Sequence, residues 1–495
     1  MATSTASAAP LLSEELWKGK ILCGTWRQGG AGTADVTDKS TGENIGKIGV
    51  ASVKDVTEAC KLAKAAQPGW AATAPAERER VIRSVSQMLD QYKDEIGPWL
   101  IRESGSTKFK TGFEIWDTQQ HCDHCASSLK EPLSFVVQED ENFRSVAERV
   151  PIGVVGVIGP FNFPLILGMR SVAAALAMGN AVVLKPSLNT AVSGGVIIAR
   201  LFEQAGLPAN LIHVLPGEGD IGAALCEDPN VSMIAFTGST SVGRQIASKA
   251  GALLKRVSLE LGGKNPYIVL EDADIDLAAS AGAFANFLHQ GQICMTTGLH
   301  IVHEKVADKY TAKLVEIARS LKVGDPWKEQ VALGPVISER QRDRIDQIVK
   351  DSVKAGAKLE TGGAAKGSFY QPTVLTNVTP AMAVFREEVF GPVAAVVTFR
   401  TDDEALKIAN GIDYGLSAAV QGSYEHAKVV GARIESGMVH VNDQSVNDDA
   451  RAPFGGIKGS GNGTRHGGKA VVDEYTDWRW RTESKQPKRY EIMTL

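Results

Sequence analysis

The chain of 495 residues is 43% apolar and 22% charged, a globular mix that excludes wholesale disorder. Its length suggests about three folding units or two large ones. With 53 basic and 57 acidic residues the net charge is −4, which argues against an extended nucleic-acid footprint, and six cysteines are too few for a disulfide scaffold, so reduced thiols in the cytoplasm are expected.

In chain order, the opening MATSTASAAPLLSEELW has neither a basic segment nor a continuous apolar core and reads as a frayed tail rather than a signal peptide. No run of about 18 uncharged apolar residues follows, so no membrane span is expected. After a short β entry, Val53 to Ala71 and Pro75 to Glu103 carry apolar residues at the 3.6 period and predict helices. A proline, β-branched residues and the break Asp140-Glu141-Asn142 predict a hairpin between Leu133 and Val150. From 151 to 260, apolar strands (153–159, 181–185, 211–215, 233–236, 257–259) alternate with Ala-rich helices (165–177, 193–205, 219–227, 241–250). That alternation predicts a parallel α/β sheet. A second α/β pattern runs from about 262 to 440, and Trp478-Arg479-Trp480-Arg481 alternates like a strand. The 50 glycines, above the usual ~7%, suggest tight turns or backbone brought close to a ligand.

Cys294, in Gly-Gln-Ile-Cys-Met-Thr-Thr, is a candidate nucleophile, a role that needs thiolate; beside Met295 it also suits a buried core. Glu260 ends an apolar strand ahead of Gly262-Gly263. The carboxyl ends of parallel strands are where α/β folds place active sites, so Glu260 is a candidate general base, or else a structural carboxylate bonded to the turn. Asn162 lies in Gly159-Pro160-Phe161-Asn162-Phe163-Pro164, ahead of a helix, where it either caps the helix or donates its amide to an oxyanion. Gly217 to Gly222 matches G-x-G-x-x-G without the usual acid ~20 residues on. Phe236 to Gly243 runs from strand through turn to helix and offers N–H groups to an anion. His121-Cys122-Asp123-His124-Cys125 has no second Cys/His pair at finger spacing, so it reads as helix residues at a wall and no metal is expected.

Together with Leu184-Lys185-Pro186-Ser187, Glu387 to Val393 and Pro453 to Gly461, these stretches occur in an order that resembles the NAD(P)-dependent aldehyde dehydrogenase superfamily, from about residue 20 to 490. The resemblance implies a Rossmann-like nucleotide-binding domain over 1–129 and 151–261 and an α/β catalytic domain over 262–460. It also implies a β oligomerisation arm from 130–150 and 475–490, with a homodimer or homotetramer as the assembly. Cys294 would attack a small-molecule aldehyde, Asn162 and the Cys294 N–H would hold the oxyanion, and hydride would pass to NAD or NADP. Glu260 would then activate water to release the acid from the thioester. In the implied cofactor site Lys185 approaches the adenine ribose, Gly238 and Ser239 meet the pyrophosphate, and Gly219 and Val242 flank the adenine. Glu388 holds the nicotinamide ribose beside Phe390, and Ile158, Pro160, Ser187 and Leu261 complete the set.

Leu188 occupies the position where NAD-preferring members carry Glu, so use of NADP beside NAD is expected. Val441 to Asp448, Ala452-Pro453-Phe454, Ser460 to Gly463 and Leu167 to Arg170 resemble the aromatic-aldehyde branch, the benzaldehyde, vanillin and salicylaldehyde dehydrogenases. That likeness implies Phe163 and Phe454 as pocket walls. Arg170 either faces a phenolate or carboxylate substituent or sits in a salt bridge. Alternatives on the same fold are an aliphatic semialdehyde dehydrogenase and a CoA-acylating enzyme, against which Glu260 argues for hydrolysis. A non-catalytic binding protein would lack the nucleophile or the base, and a cysteine hydrolase would show a Cys-His pair.

Overall fold

Five apolar segments between 154 and 260 form the parallel strands Val154–Ile158, Ala181–Lys185, Ile212–Val214, Met233–Thr237 and Arg256–Glu260. Nearly every residue in them is buried, as a sheet covered on both faces requires. The structure is a computed structural model describing residues 10–487, 489 and 490. The frayed-tail reading of residues 1–9 lies outside the described residues, whereas Glu14–Trp17 folds into one helical turn with Trp17 buried.

Strand order across this seven-stranded sheet is 256–260, 233–237, 154–158, 181–185, 212–214, then the antiparallel pair Lys20–Cys23 and Thr25–Gln28. The chain runs outward from 154–158 in one direction, returns, and continues from 233–237 in the other. Between those two central strands the winding reverses, and open α/β sheets bind ligands in the crevice at such a point. A second seven-stranded sheet is parallel from Thr373–Thr376 through Val393–Phe399, Leu299–His303, Pro266–Val269 and Ser417–Gln421 to Met438–Val441. Lys358–Thr361 closes its other edge antiparallel.

The hairpin predicted between 133 and 150 is Ser134–Glu139 and Phe143–Pro151, and Thr476–Ser484 adds a third strand, longer than the four-residue alternation but ending short of the expected 475–490 span. Trp478 packs edge-on against Phe135, with the Arg149 guanidinium 4.1 Å from its ring centroid.

Two helices differ from expectation. The predicted 75–103 helix is two, Pro75–Gln91 and Lys93–Ser104. Tyr92 leaves helical geometry with its side chain buried, and Asp94 and Glu95 start a new first turn, where acids are favourable. The predicted 193–205 helix begins instead as a wide turn, Val192–Val196, before Ile197–Gln204. The buried Glu103 carboxylate draws on that turn, accepting from Val192 N at 2.9 Å and Ser193 N at 2.7 Å.

Candidate active site

A cleft of ≈ 610 Å³ opens at the crevice between strands 154–158 and 233–237 and is shared by both sheets. Cys294, Glu260 and Asn162 all line it. Of the expected cofactor residues, Pro160, Gly238, Ser239, Leu261, Glu388 and Phe390 line it as well.

Cys294 follows a left-handed kink at His289 and Gln290 that turns the chain toward the cleft. Its loop is held from below by Asn265, whose amide donates to the carbonyls of Cys294 and Thr296, each at 2.7 Å. The thiol is only partly covered yet deep in the cleft, and burial pushes its pKa up to about 12, with Arg170 acting in the opposite direction. At rest it is therefore a neutral thiol rather than a thiolate.

Glu260 ends its strand, and its backbone is fixed by Gly238 N donating to its carbonyl and by pairing with Gly461. Neither carboxylate oxygen has a hydrogen-bond partner among the described residues, so the structural reading, a carboxylate bonded to the glycine turn, does not hold. Burial pushes Glu260 up to about 8, while Arg170 and Arg465 favour its ionised form. A side chain at Gly455 would come 2.8 Å from Glu260 Oε1, so glycine there keeps the carboxylate free to face the cleft.

Asn162 lies in the turn between Val154–Ile158 and the Pro164–Ala177 helix. It does not cap that helix: the N-cap residue is Phe163, and the N–H groups of Leu165 and Ile166 are taken by Glu114 Oε1. The Asn162 amide is left lining the cleft.

The Thr240–Ala252 helix points its start into the same space. Its N-cap, Ser239, makes no side-chain cap bond, so first-turn N–H groups face the cleft together with Gly238, Thr240 and Ser241. Arg340, Arg344 and Arg386 line the same cleft. Helix-start N–H donors and arginines in one cleft suit a diphosphate. Glu388 Oε1 accepts from Gly263 N at 3.0 Å, and burial pushes Glu388 up to about 7. A Cβ on Gly262 would collide with the other Glu388 oxygen, so only glycine admits this carboxylate.

Ile158, Lys185, Ser187, Gly219 and Val242 do not line this cleft but follow the same carboxyl edge of the sheet. Lys185 lies opposite Ile158 in the ladder, and both approach Gly222 in the helix that Gly219 starts. Ser187 Oγ accepts from Asn189 N, and Val242 is exposed on the first turn of the Thr240–Ala252 helix. Leu188 is half-buried, packed on the core.

Phe163 and Phe454 belong to an apolar cluster with Ile166, Leu167, Met295 and Val446, against which Cys294 packs. Arg170 is buried and forms no ion pair among the described residues, so the salt-bridge reading fails. Its three guanidinium nitrogens have no hydrogen-bond partner, and its charge sits 4.7 Å over the Phe454 ring.

The His121–Cys125 stretch divides. Cys122 and Cys125 are buried in the core under the first sheet, where burial raises both thiols. His121 faces Asp448 at 3.6 Å, and with Asp117 their ligand atoms lie within 4.8 Å of one another. Arg170 offsets the charge of both aspartates.

Sequence reasoning missed the residues that hold the site. Arg344 donates to the carbonyls of Glu388 and Val389, and Gln341 to that of Phe390. Lys264 is buried with no hydrogen-bond partner for its amine among the described residues, and burial lowers its pKa to about 7. Only the Lys264 position, inside the Gly-Gly-Lys-Asn-Pro run, carried a local signal.

Residues 26–481 match the profile of the aldehyde dehydrogenase family. The chain is 48% identical to a vanillin dehydrogenase of Amycolatopsis sp., covering 95% of this chain and 97% of that one. It is 43% identical to a benzaldehyde dehydrogenase [NAD(+)] of Pseudomonas putida, covering 96% and 98%. The crystal structure of a salicylaldehyde dehydrogenase from Pseudomonas putida G7, complexed with salicylaldehyde, superposes with a TM-score of 0.91 at 35% identity over 96% of this chain and 99% of that chain. Among the described residues no helix is long and apolar enough to cross a membrane.

Proposed function

The chain belongs to the aldehyde dehydrogenase family, and from that premise we propose that it oxidises benzaldehyde-type aldehydes to carboxylic acids with NAD or NADP. The observation that carries the reading is the convergence of Cys294, Asn162 and an unpaired Glu260 on one cleft, with an aromatic cluster packed behind the thiol.

As its proton passes to water, the Cys294 sulfur attacks the carbonyl carbon, an S–C bond forms, and the carbonyl π pair moves onto oxygen. The Asn162 amide donates to that oxyanion, together with the Cys294 N–H. Bound NAD or NADP supplies the hydride acceptor that turns the adduct into a thioester. Glu260, as carboxylate, takes a proton from water; the hydroxide adds to the thioester carbon, the C–S bond pair leaves on the Cys294 sulfur, which takes back the proton from Glu260, and the acid departs. A free pair of carboxylate oxygens favours this water-activating role over transfer to CoA.

Residues 1–129 and 151–261 supply the nucleotide side. Gly238 and Ser239 take the pyrophosphate, Lys185 the adenine ribose, Gly219 and Val242 the adenine, and Glu388 the nicotinamide ribose beside Phe390. Ile158, Pro160, Ser187 and Leu261 form the groove walls. Residues 262–460 carry the nucleophile. Phe163 and Phe454 enclose the ring, and Arg170 favours a ring substituent that accepts hydrogen bonds. The three-stranded arm leaves Ser134–Glu139 exposed along its length and pairs copies of this chain into a homodimer or homotetramer in the cytoplasm.

The test is a panel of aromatic and aliphatic aldehydes against both cofactors, followed at the absorbance of reduced nicotinamide. Benzaldehydes are expected to give the highest kcat/KM. Aliphatic semialdehydes outperforming them would remove the substrate assignment.

A further inference from the structure

We propose that Lys110 and Glu114, neighbours on the Lys108–Ser128 helix, act as a buried ionic clamp that positions the Asn162 amide for the aldehyde oxygen. The inference rests on the reading of Asn162 as the oxyanion donor.

The two residues are four apart and both side chains are fully buried, with Lys110 Nζ 2.5 Å from Glu114 Oε2. Each also grips the turn that carries Asn162. Lys110 Nζ donates to the Asn162 carbonyl at 2.9 Å and lies 4.1 Å from the centroid of the Phe163 ring. Glu114 Oε1 accepts from Leu165 N at 2.9 Å and from Ile166 N at 3.4 Å. The turn is thus held on its carbonyl side just before Phe163 and on its N–H side just after it. The two contacts hold the Asn162 carbonyl and the Leu165 N–H, the backbone groups on either side of Phe163 and Pro164.

Stability does not account for the arrangement. A buried ion pair replaced by apolar groups of similar shape is often neutral or stabilising, because desolvation offsets the attraction. A helix start also needs only a serine, threonine or aspartate at its own N-cap. Here Phe163 occupies the N-cap and the cap is supplied by a residue 51 positions away in sequence. This leaves Asn162 free of the capping role and Phe163 free to pack edge-on against His289, 5.5 Å between centroids. Lys110 and Glu114 do not themselves line the cleft; they are positioning residues.

The test uses the neutral double variant Lys110→Met/Glu114→Gln, which leaves no unpaired charge in the core and keeps an amide oxygen to cap Leu165. Its kcat, and the rate of the first-turnover burst of reduced nicotinamide, are expected to fall about 10- to 100-fold, with aldehyde KM and cofactor affinity within about threefold of wild type. In an Asn162→Ala background the same pair of substitutions is expected to cause no further fall. A double variant with wild-type kcat overturns the proposal, as does an undiminished further fall in the Asn162→Ala background. If the double variant does not fold, Glu114→Asp, which keeps the charge and shortens its reach, must lower kcat with KM unchanged; no fall overturns the proposal. Failure of the underlying reading looks different: Asn162→Ala alone would then keep full kcat.

Discussion

Arg170 lies with its guanidinium carbon 4.7 Å from the centroid of Phe454, buried, and without a hydrogen-bond partner among the described residues for any of its three nitrogens. Its charge acts on both ends of the chemistry, favouring the ionised forms of Cys294 and Glu260. A cation held on an aromatic face keeps its donors available to a ligand.

Arg170→Met removes that charge while keeping the stem. Both Cys294 and Glu260 lose a stabilising positive neighbour, so their pKa values move up. The rising, acid-side limb of the kcat–pH profile is expected to shift to higher pH, and kcat/KM for hydroxybenzaldehydes to fall more than that for benzaldehyde. An unmoved profile would separate Arg170 from both groups.

Glu260 is pushed up to about 8 by burial, so it is mostly protonated at neutral pH and gains base character as pH rises. Thioester hydrolysis is expected to accelerate through about pH 8. Glu260→Gln should retain a stoichiometric burst of reduced nicotinamide while turnover falls about 10²- to 10⁴-fold. Loss of the burst together with turnover would place Glu260 in acylation instead.

Asn162→Ala removes the side-chain donor without disturbing the helix start, because Glu114 supplies the cap. The burst rate is expected to fall about 10²- to 10³-fold, the usual effect of deleting an oxyanion donor. Circular dichroism and melting temperature should stay close to wild type, and a large loss of stability would instead return Asn162 to a structural role.

In the proposed nucleotide groove, Leu188 places no carboxylate at the third position after Lys185. Leu188→Glu adds a negative charge that a 2′-phosphate must approach, so kcat/KM with NADP should fall by about tenfold or more relative to NAD. Equal losses with both cofactors would show that the position does not read the phosphate.

The sequence by itself determined the alternation of strands and helices between 151 and 260, because strands buried on both faces are continuous apolar runs. It also marked Cys294, Glu260 and Asn162, since each sits at a strand end or glycine-rich turn with its own local signature. It could not decide what Asn162 does. Capping and oxyanion donation suit the same residue in the same turn, and only the fold shows the cap taken by Glu114. Nor could it decide Arg170, whose salt bridge is absent and whose charge rests on Phe454. The supports of the site had no signal: Lys110 meets Asn162 across 52 positions and Arg344 meets Glu388 across 44. Such pairs come together only when helix and sheet pack, and their energy depends on burial and distance, which belong to the tertiary structure alone.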